Sequence, residues 1–314
     1  VYNGDMDLRD FPKRFQTALG RPLTQAVDLS AYSHFRIGGP ADFFFEVTSE
    51  EQLVQAVRFS RGIQVNHRVI GGGYNLLFDD QGFRGLIIRN AVKHLRLEDS
   101  HRIVAASGST LEDLIQFCLD QDIGGLEFLV GIPGTLGGAV YGNAGAFDQD
   151  IGQVLEQARL LMHSDEIVHV DRKFFAFSYR HSVLKGSENI LLEVSLRGFT
   201  RGRSEIQSLL ADYRRKRVHR HPPWGIACAG SFFKNPVLSS GEKVPAAFLL
   251  DQVGAKEMSV GDAAVFSGHA NFIINRGNAT SEQVRTLAAR LKSRVKERFA
   301  VDLEEEVIYL PAEP

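Results

Sequence analysis

The sequence predicts an α+β protein of more than one domain, on three observations. The chain has 314 residues, beyond the roughly 250 to 300 at which a single hydrophobic core stops growing. Through its first half, short apolar runs ending at glycine turns interleave with amphipathic helical patterns, but without regular β-α-β spacing. From about residue 158 to 199 the pattern becomes strand-like, and the last third closes on a long amphipathic helix and one strand. With 44% apolar and 24% charged residues, each unit has material for its own core and none reads as extended disorder.

Taken in order, Thr48-Ser49-Glu50-Glu51 ahead of Leu53, Val54 and Val57 is a capping-box pattern that opens an amphipathic helix. Ser109-Thr110 before Leu111, Leu114, Ile115 and Cys118 repeats the device. Val69-Ile70 running into a glycine triplet, Leu86-Ile87-Ile88 and Ile103-Val104-Ala105 read as short strands. Residues 159–162 and 167–170 flank His163-Ser164-Asp165 as the arms of a hairpin, and Leu192, Val194 and Leu196 continue the period-two alternation. The polar break Thr200-Arg201-Gly202-Arg203, followed by a helix over about 204–216, marks a domain boundary near residue 200. The last helix is capped by Thr280 with Gln283 and buries Val284, Leu287, Ala288, Leu291, Val295 and Phe299, while Arg294, Lys296 and Arg298 suit the negative end of its dipole. The strand Val307-Ile308-Tyr309-Leu310 ends the pattern.

Composition excludes several partners. A formal charge of −2 gives no chain-wide basic field for a polyanion, so no nucleic-acid partner is expected. Cys118 and Cys228 are the only cysteines, too few for a disulfide framework, which fits a reducing compartment. The uncharged stretch over residues 128–147 reaches membrane-spanning length, but its six glycines, Pro133 and Asn143 argue against a spanning helix. Residues 1–9 carry Asp5 and Asp7 and no apolar core of a secretory signal. The expectation is a cytoplasmic protein without a membrane partner. His219 and His221 are the one closely spaced histidine pair and lack a further ligand set, so no metal is expected.

Chemistry concentrates in glycine. Gly71-Gly72-Gly73-Tyr74-Asn75 follows a strand, where bare backbone amides can surround a phosphate or simply make a tight turn. A dinucleotide fingerprint would need glycine where Leu76 stands, and no Gly-Lys pair exists for a P-loop. The second cluster runs Gly131-Ile132-Pro133-Gly134-Thr135-Leu136-Gly137-Gly138-Ala139, then Asn143-Ala144-Gly145-Ala146-Phe147. So many glycines carry an entropic cost on folding, which favours a cofactor cradle over an ordinary loop.

Charged candidates are scattered. Tyr179-Arg180-His181-Ser182 offers a guanidinium fork for a carboxylate, and Gly230-Ser231-Phe232-Phe233-Lys234-Asn235-Pro236 offers a hydroxyl. By spacing alone Arg180 can equally be a strand-end charge, Ser231 a turn residue, and Glu306 one of three solvated carboxylates. The run Arg214-Arg215-Lys216-Arg217-Val218-His219-Arg220-His221 can attract a diphosphate or form a solvated helix end.

Together these segments resemble the UDP-N-acetylenolpyruvoylglucosamine reductase family, in collinear order over about residues 29–310. The segments are Phe35-Arg36-Ile37-Gly38-Gly39-Pro40-Ala41-Asp42, the Gly71 cluster, Gly125-Leu126-Glu127-Phe128, Gly131-Ile132-Pro133-Gly134, Asn143-Ala144-Gly145-Ala146, Tyr179-Arg180-His181-Ser182, the Gly230 segment and Leu303-Glu304-Glu305-Glu306-Val307. The resemblance implies a two-lobed FAD-binding unit of the vanillyl-alcohol-oxidase type, with lobes at 1–90 and 91–199. A C-terminal α+β substrate domain at 200–314 follows, its last strand a candidate to return to the second lobe.

It also implies non-covalent FAD, NADPH as electron donor, and an enolpyruvyl UDP-amino-sugar as the small-molecule substrate, in a monomer or weak oligomer of the bacterial cytoplasm. Gly71, Gly72, Gly73, Tyr74, Asn75, Gly131, Ile132, Pro133, Gly134, Gly137, Gly138, Asn143, Ala144, Gly145 and Ala146 would then hold FAD. Ser231 would donate a proton, while Arg180 and Glu306 would hold the substrate carboxylate and stabilise an enol-like intermediate. Asn235, Lys256 and His269 are the matching substrate positions.

The short connection between residues 199 and 230 resembles the branch without a long tyrosine-bearing insertion, in which the 214–217 run would help with the nucleotide. Three departures stand out: Tyr74 for the usual Ser, Tyr141-Gly142 before Asn143, and Glu257 for the usual Gly. Two rivals remain, a non-catalytic flavin- or nucleotide-sugar-binding homologue and a flavin oxidoreductase with another substrate.

Overall fold

The computed structural model describes residues 8–218, 221–238 and 241–313. Aromatic and β-branched runs of the N-terminal part pair into one sheet in the order Thr24–Asp28, Pro40–Val47, Phe83–Asn90, His67–Ile70. The last three are parallel and the first is antiparallel to its neighbour. Leu86, Ile87 and Ile88 are fully buried, as a central parallel strand covered on both faces requires. The helix Glu50–Gly62 starts where expected, Ser49 Oγ accepting from the Gln52 amide, and packs Leu53, Val54 and Val57 against Phe43 and Phe45.

The expected hairpin forms the edge of a second, antiparallel sheet ordered Ile167–Asp171, Leu155–Leu161, Ile190–Arg197, Arg102–Ala106, Leu95–Leu97. The helix Leu111–Asp120, capped by Thr110, buries Leu111, Leu114, Ile115 and Cys118 in that sheet's core. The uncharged stretch does not become one helix: its glycines leave a seven-residue helix, Leu136–Gly142. No helix of the described residues is long and apolar enough to cross a membrane.

A third unit holds a four-stranded sheet, Ala227–Cys228, Ile273–Asn275, Ala263–Val265, Ser259–Val260, covered by the helices Ala246–Gln252 and Ser281–Phe299. The Thr280–Gln283 capping box is fully formed. Thr280→Ala should therefore weaken this helix by about 1 kcal/mol. Hydrogen exchange checks this: protection of its amides should fall while those of the second sheet are unchanged.

Two expectations are corrected. The helix Arg203–Val218, assigned to the third domain, buries Ile206 and Leu210 in the second unit's core, so the chain leaves that unit only after Val218. The last strand, Ile308–Leu310, pairs in parallel with Leu76–Phe78 of the first segment and not with the second lobe. Phe35, Ile37 and Leu77 share the third unit's core, and Asn275 Nδ2 donates to the Phe35 carbonyl at 3.1 Å. The chain's end is thereby drawn to the first unit, beside the glycine triplet.

Candidate active site

The two glycine clusters face each other. At Gly73 φ is +71° and a Cβ would lie 1.9 Å from the Tyr32 carbonyl oxygen, so only glycine fits. A Cβ on Gly71 would stand 2.4 Å from Thr135 Oγ1, and one on Gly72 3.9 Å from the α-carbon of Gly134. The two loops thus lie against each other in the wall of a cavity of about 1440 Å³. This exceeds the roughly 300 to 1,000 Å³ of a drug-sized pocket, leaving room for a dinucleotide and a second ligand.

The cavity wall holds residues 71–75 and 131–134, with Gly137, Gly138, Ala144 and Gly145. At Gly134 and Gly142 nothing lies within 4 Å of an added Cβ, so both turn bare backbone to the cavity. Among the described residues, the amides of Gly72, Gly73 and Tyr74 donate to no acceptor. Two buried guanidinium nitrogens in the wall, Arg61 Nε and Arg217 Nε, also lack a hydrogen-bond partner. Unmatched donors along a glycine-lined channel fit the pyrophosphate and heterocycles of FAD.

Asn143 and Ala146 do not join the wall. Asn143 caps the short helix in left-handed conformation, donating to the Ser178 carbonyl at 2.9 Å and accepting from the Gly152 amide at 3.0 Å. Ala146 pairs with Gln149 in a small hairpin. Tyr74 does line the cavity, its ring beside Gly72 and 5.1 Å from that of His34. Tyr141 lines it too, and Glu257 lies in the short turn Ala255–Glu257 away from it.

Arg180, Ser231 and Glu306 converge on the same cavity. Reciprocal 3.1 Å bonds between Ser178 and His181 close a tight turn in which Arg180 has φ +55°, a conformation costing a non-glycine residue about 1–2 kcal/mol. Its Nη2 donates to the Gly145 carbonyl at 3.2 Å, and its Nε lies 2.8 Å from Glu306 Oε1. That ion pair is close but poorly aligned, since Nε makes no well-angled hydrogen bond.

The Glu306 amide donates to the Phe232 carbonyl at 2.8 Å, fixing it beside Ser231. Asn75 brackets the same strand: its side chain donates to the Glu306 carbonyl at 3.1 Å and its own carbonyl accepts from Ile308 at 3.0 Å. The residue expected to hold cofactor therefore also sets the position of Glu306.

Burial pushes the Glu306 carboxyl above the ordinary carboxylate range, with Arg180, Lys185 and Lys234 pulling the other way. Arg217 alone of the run at 214–217 lines the cavity, while Arg215 and Lys216 pair with Asp212 on the surface. Burial, reinforced by Arg180, brings the Arg217 guanidinium down to about 10. The histidine pair lies partly outside the described residues at His219, and among the described residues no group of side chains is fit to hold a metal.

The expected substrate residues stand apart from the cavity wall. Asn235 Oδ1 accepts from the Ala246 amide at 3.0 Å, Lys256 pairs with Asp251 at 2.8 Å, and His269 packs edge-on against Phe272. Asn235 is nonetheless next to Tyr179, whose hydroxyl accepts from its amide at 3.4 Å and whose ring carries Lys243 Nζ at 3.1 Å. Tyr179, Lys185 and Lys243 lie beside Arg180 and Asn235, outside the cavity wall, and were not expected there. Tyr179 lay inside a motif already singled out, while Lys243 carries no local signal.

Comparison with known proteins agrees with this geometry. The family described as UDP-N-acetylenolpyruvoylglucosamine reductase, C-terminal domain, matches residues 222–310, and an FAD binding domain matches residues 41–171. The protein of that name from Solibacter usitatus is 38% identical, over 92% of this chain and 96% of its own. That from Chlamydia felis is 35% identical over 92% and 95%. The crystal structure of the reductase from Thermus caldophilus superposes with a TM-score of 0.77 at 32% identity, covering 92% of this chain and 99% of that one. A likeness of this extent, with both glycine loops and the Arg180–Glu306 pair in one cavity, means that the chain belongs to the UDP-N-acetylenolpyruvoylglucosamine reductase family.

Proposed function

We propose that this protein reduces the enolpyruvyl group of UDP-N-acetylenolpyruvoylglucosamine to give UDP-N-acetylmuramate for peptidoglycan, using NADPH and non-covalently bound FAD. The observation that carries the reading is the convergence of Arg180, Glu306 and Ser231 on a cavity walled by two glycine loops. The amides of Gly72, Gly73 and Tyr74 suit the cofactor's pyrophosphate, and the bare backbone of Gly134, Gly138 and Gly142 admits its ring system. FAD held there would supply the two-electron chemistry that links NADPH to the enolpyruvyl double bond.

Arg180 carries the substrate carboxylate, its fork being already held by Gly145 and Glu306. A carboxylate arriving beside Glu306 raises the Glu306 pKa further, so the two carboxyl groups hold one proton between them. As negative charge grows on the substrate's carboxyl oxygens, that shared hydrogen bond and the guanidinium strengthen, which stabilises the enol-like species over the ground state. Ser231 hands its proton to the carbon next to the carboxylate. An ordinary hydroxyl is a weak acid, so the step depends on the electron-rich carbon that Arg180 and Glu306 sustain.

Tyr179 with Lys243, beside Asn235, extends the cationic side of the site in the direction of the substrate's diphosphate. Lys256 and His269 remain proposed as outer substrate contacts, beyond the cavity wall. The reading places the protein in the bacterial cytoplasm as a monomer or weak oligomer, without membrane or nucleic-acid partners. The test is product analysis: with NADPH and the enolpyruvyl sugar, each NADPH oxidised should yield one UDP-N-acetylmuramate by mass spectrometry. NADPH oxidation that consumes oxygen and leaves the sugar unchanged would overturn it.

A further inference from the structure

We propose that Lys185 is a positioning residue for the substrate half-reaction, fixing the left-handed turn that presents Arg180 to Glu306. The inference rests on the reading of Arg180 and Glu306 given above. Its starting point is the backbone of Arg180. A non-glycine residue at φ +55° persists only where its surroundings over-determine it. The turn bonds of Ser178 and His181 and the Arg180 guanidinium contacts provide part of that constraint.

The remaining tie is Lys185, whose Nζ donates to the Arg180 carbonyl at 2.8 Å. The same ammonium lies 5.8 Å from the centre of the Tyr141 ring, a cation–π contact in a half-buried setting. Ser182 Oγ, fully buried, donates to the Tyr141 carbonyl at 2.9 Å, so the segment is held to Tyr141 at Ser182 and Lys185 and to Gly145 through Arg180. A half-buried ammonium is costly unless it is used, and burial lowers its pKa here, with Lys234 adding to the effect.

The groups facing Glu306 come from several elements. Arg180 contacts it from the turn segment at 2.8 Å, while Lys185, Lys234 of the Gly230 segment, Lys243 and Tyr179 interact with it electrostatically without touching it. Lys234 is engaged by Glu304, and Lys243 sits on the Tyr179 ring. Lys185 makes no ion pair with a carboxylate among the described residues, and its charge is shared between Glu306 and Glu304.

Lys185→Met keeps the length and apolar stem but removes donor and charge. Anaerobic stopped-flow of the flavin-loaded variant, across pH, reads both consequences. Reoxidation of reduced flavin by the enolpyruvyl sugar should slow by roughly 10- to 100-fold, and its high-pH limb should move upward, because Glu306 binds its proton more tightly once a cation is removed. Reduction by NADPH should be unchanged. Lys185→Arg, retaining charge and donors, should return the limb to the wild-type position. A Lys185→Met variant with full flavin content and a wild-type pH profile overturns the proposal, as does a Lys185→Arg profile that stays shifted. A wild-type protein that shows no sugar-dependent reoxidation overturns the assigned reaction itself, an outcome visible before any variant is compared.

Discussion

Ser231→Ala slows reoxidation of the reduced flavin by the enolpyruvyl sugar by roughly 10²- to 10⁴-fold, while reduction by NADPH keeps its rate. The split follows from the geometry. Ser231 stands on the cavity wall after Gly230 (φ +79°), and its loss should remove the proposed proton donor while leaving the wall in place. Arg180 and Glu306 should still bind and polarise the substrate in the variant. The bound complex should form with nearly unchanged affinity and then stall, and stopped-flow absorbance of the flavin resolves the two half-reactions separately. Equal loss in both would mean that Ser231 shapes the cofactor pocket instead of delivering a proton.

The second large effect is on the cofactor. Gly73→Ala places a methyl 1.9 Å from the Tyr32 carbonyl oxygen at φ +71°, so the loop must move, and with it the amides of Gly72, Gly73 and Tyr74. FAD affinity should fall at least about 100-fold, equivalent to about 2.7 kcal/mol, and the protein should purify largely without yellow colour. Gly20→Ala is the control: φ is +70° there too, but the added methyl meets nothing within 4 Å. That variant should lose about 1 kcal/mol of local stability and no flavin. Titration of each apoprotein with FAD, followed by flavin fluorescence, distinguishes the crowded glycine from the merely left-handed one.

Local chemistry was legible in the sequence and long-range chemistry was not. The helices capped by Ser49, Thr110 and Thr280 begin where their side chains announce them, because a cap is satisfied within four residues. The hairpin around His163 follows for the same reason. The glycine clusters stood out one by one, but their meeting at Gly71 and Thr135 is a tertiary fact. The boundary near residue 200 failed because the stripe carrying Ile206 and Leu210 fits any apolar core, and only packing shows which one. The last strand's partner, Leu76–Phe78, lies at the far end of the sequence, beyond any local signal.

The site shows the same division. Glu304, Glu305 and Glu306 are equivalent on the page, yet Glu304 pairs with Lys234 and Glu305 with Lys292, while the Phe232 carbonyl and Asn75 fix Glu306 at the cavity. Arg180's left-handed backbone has no glycine or asparagine to signal it, and Asn143 looked like a ligand although it ties two loops together. The resemblance implied that Arg180, Ser231 and Glu306 share one site, and the fold puts all three on one cavity. Nothing in their spacing required it.

The most direct test of the account is anaerobic stopped-flow of the wild-type holoprotein, with flavin absorbance followed through both halves of the cycle. NADPH should bleach the flavin, and subsequent mixing with UDP-N-acetylenolpyruvoylglucosamine should restore the oxidised spectrum without oxygen, at a rate set by sugar concentration. Bleaching that recovers only when oxygen is admitted would contradict the assignment of Arg180, Ser231 and Glu306 to this substrate.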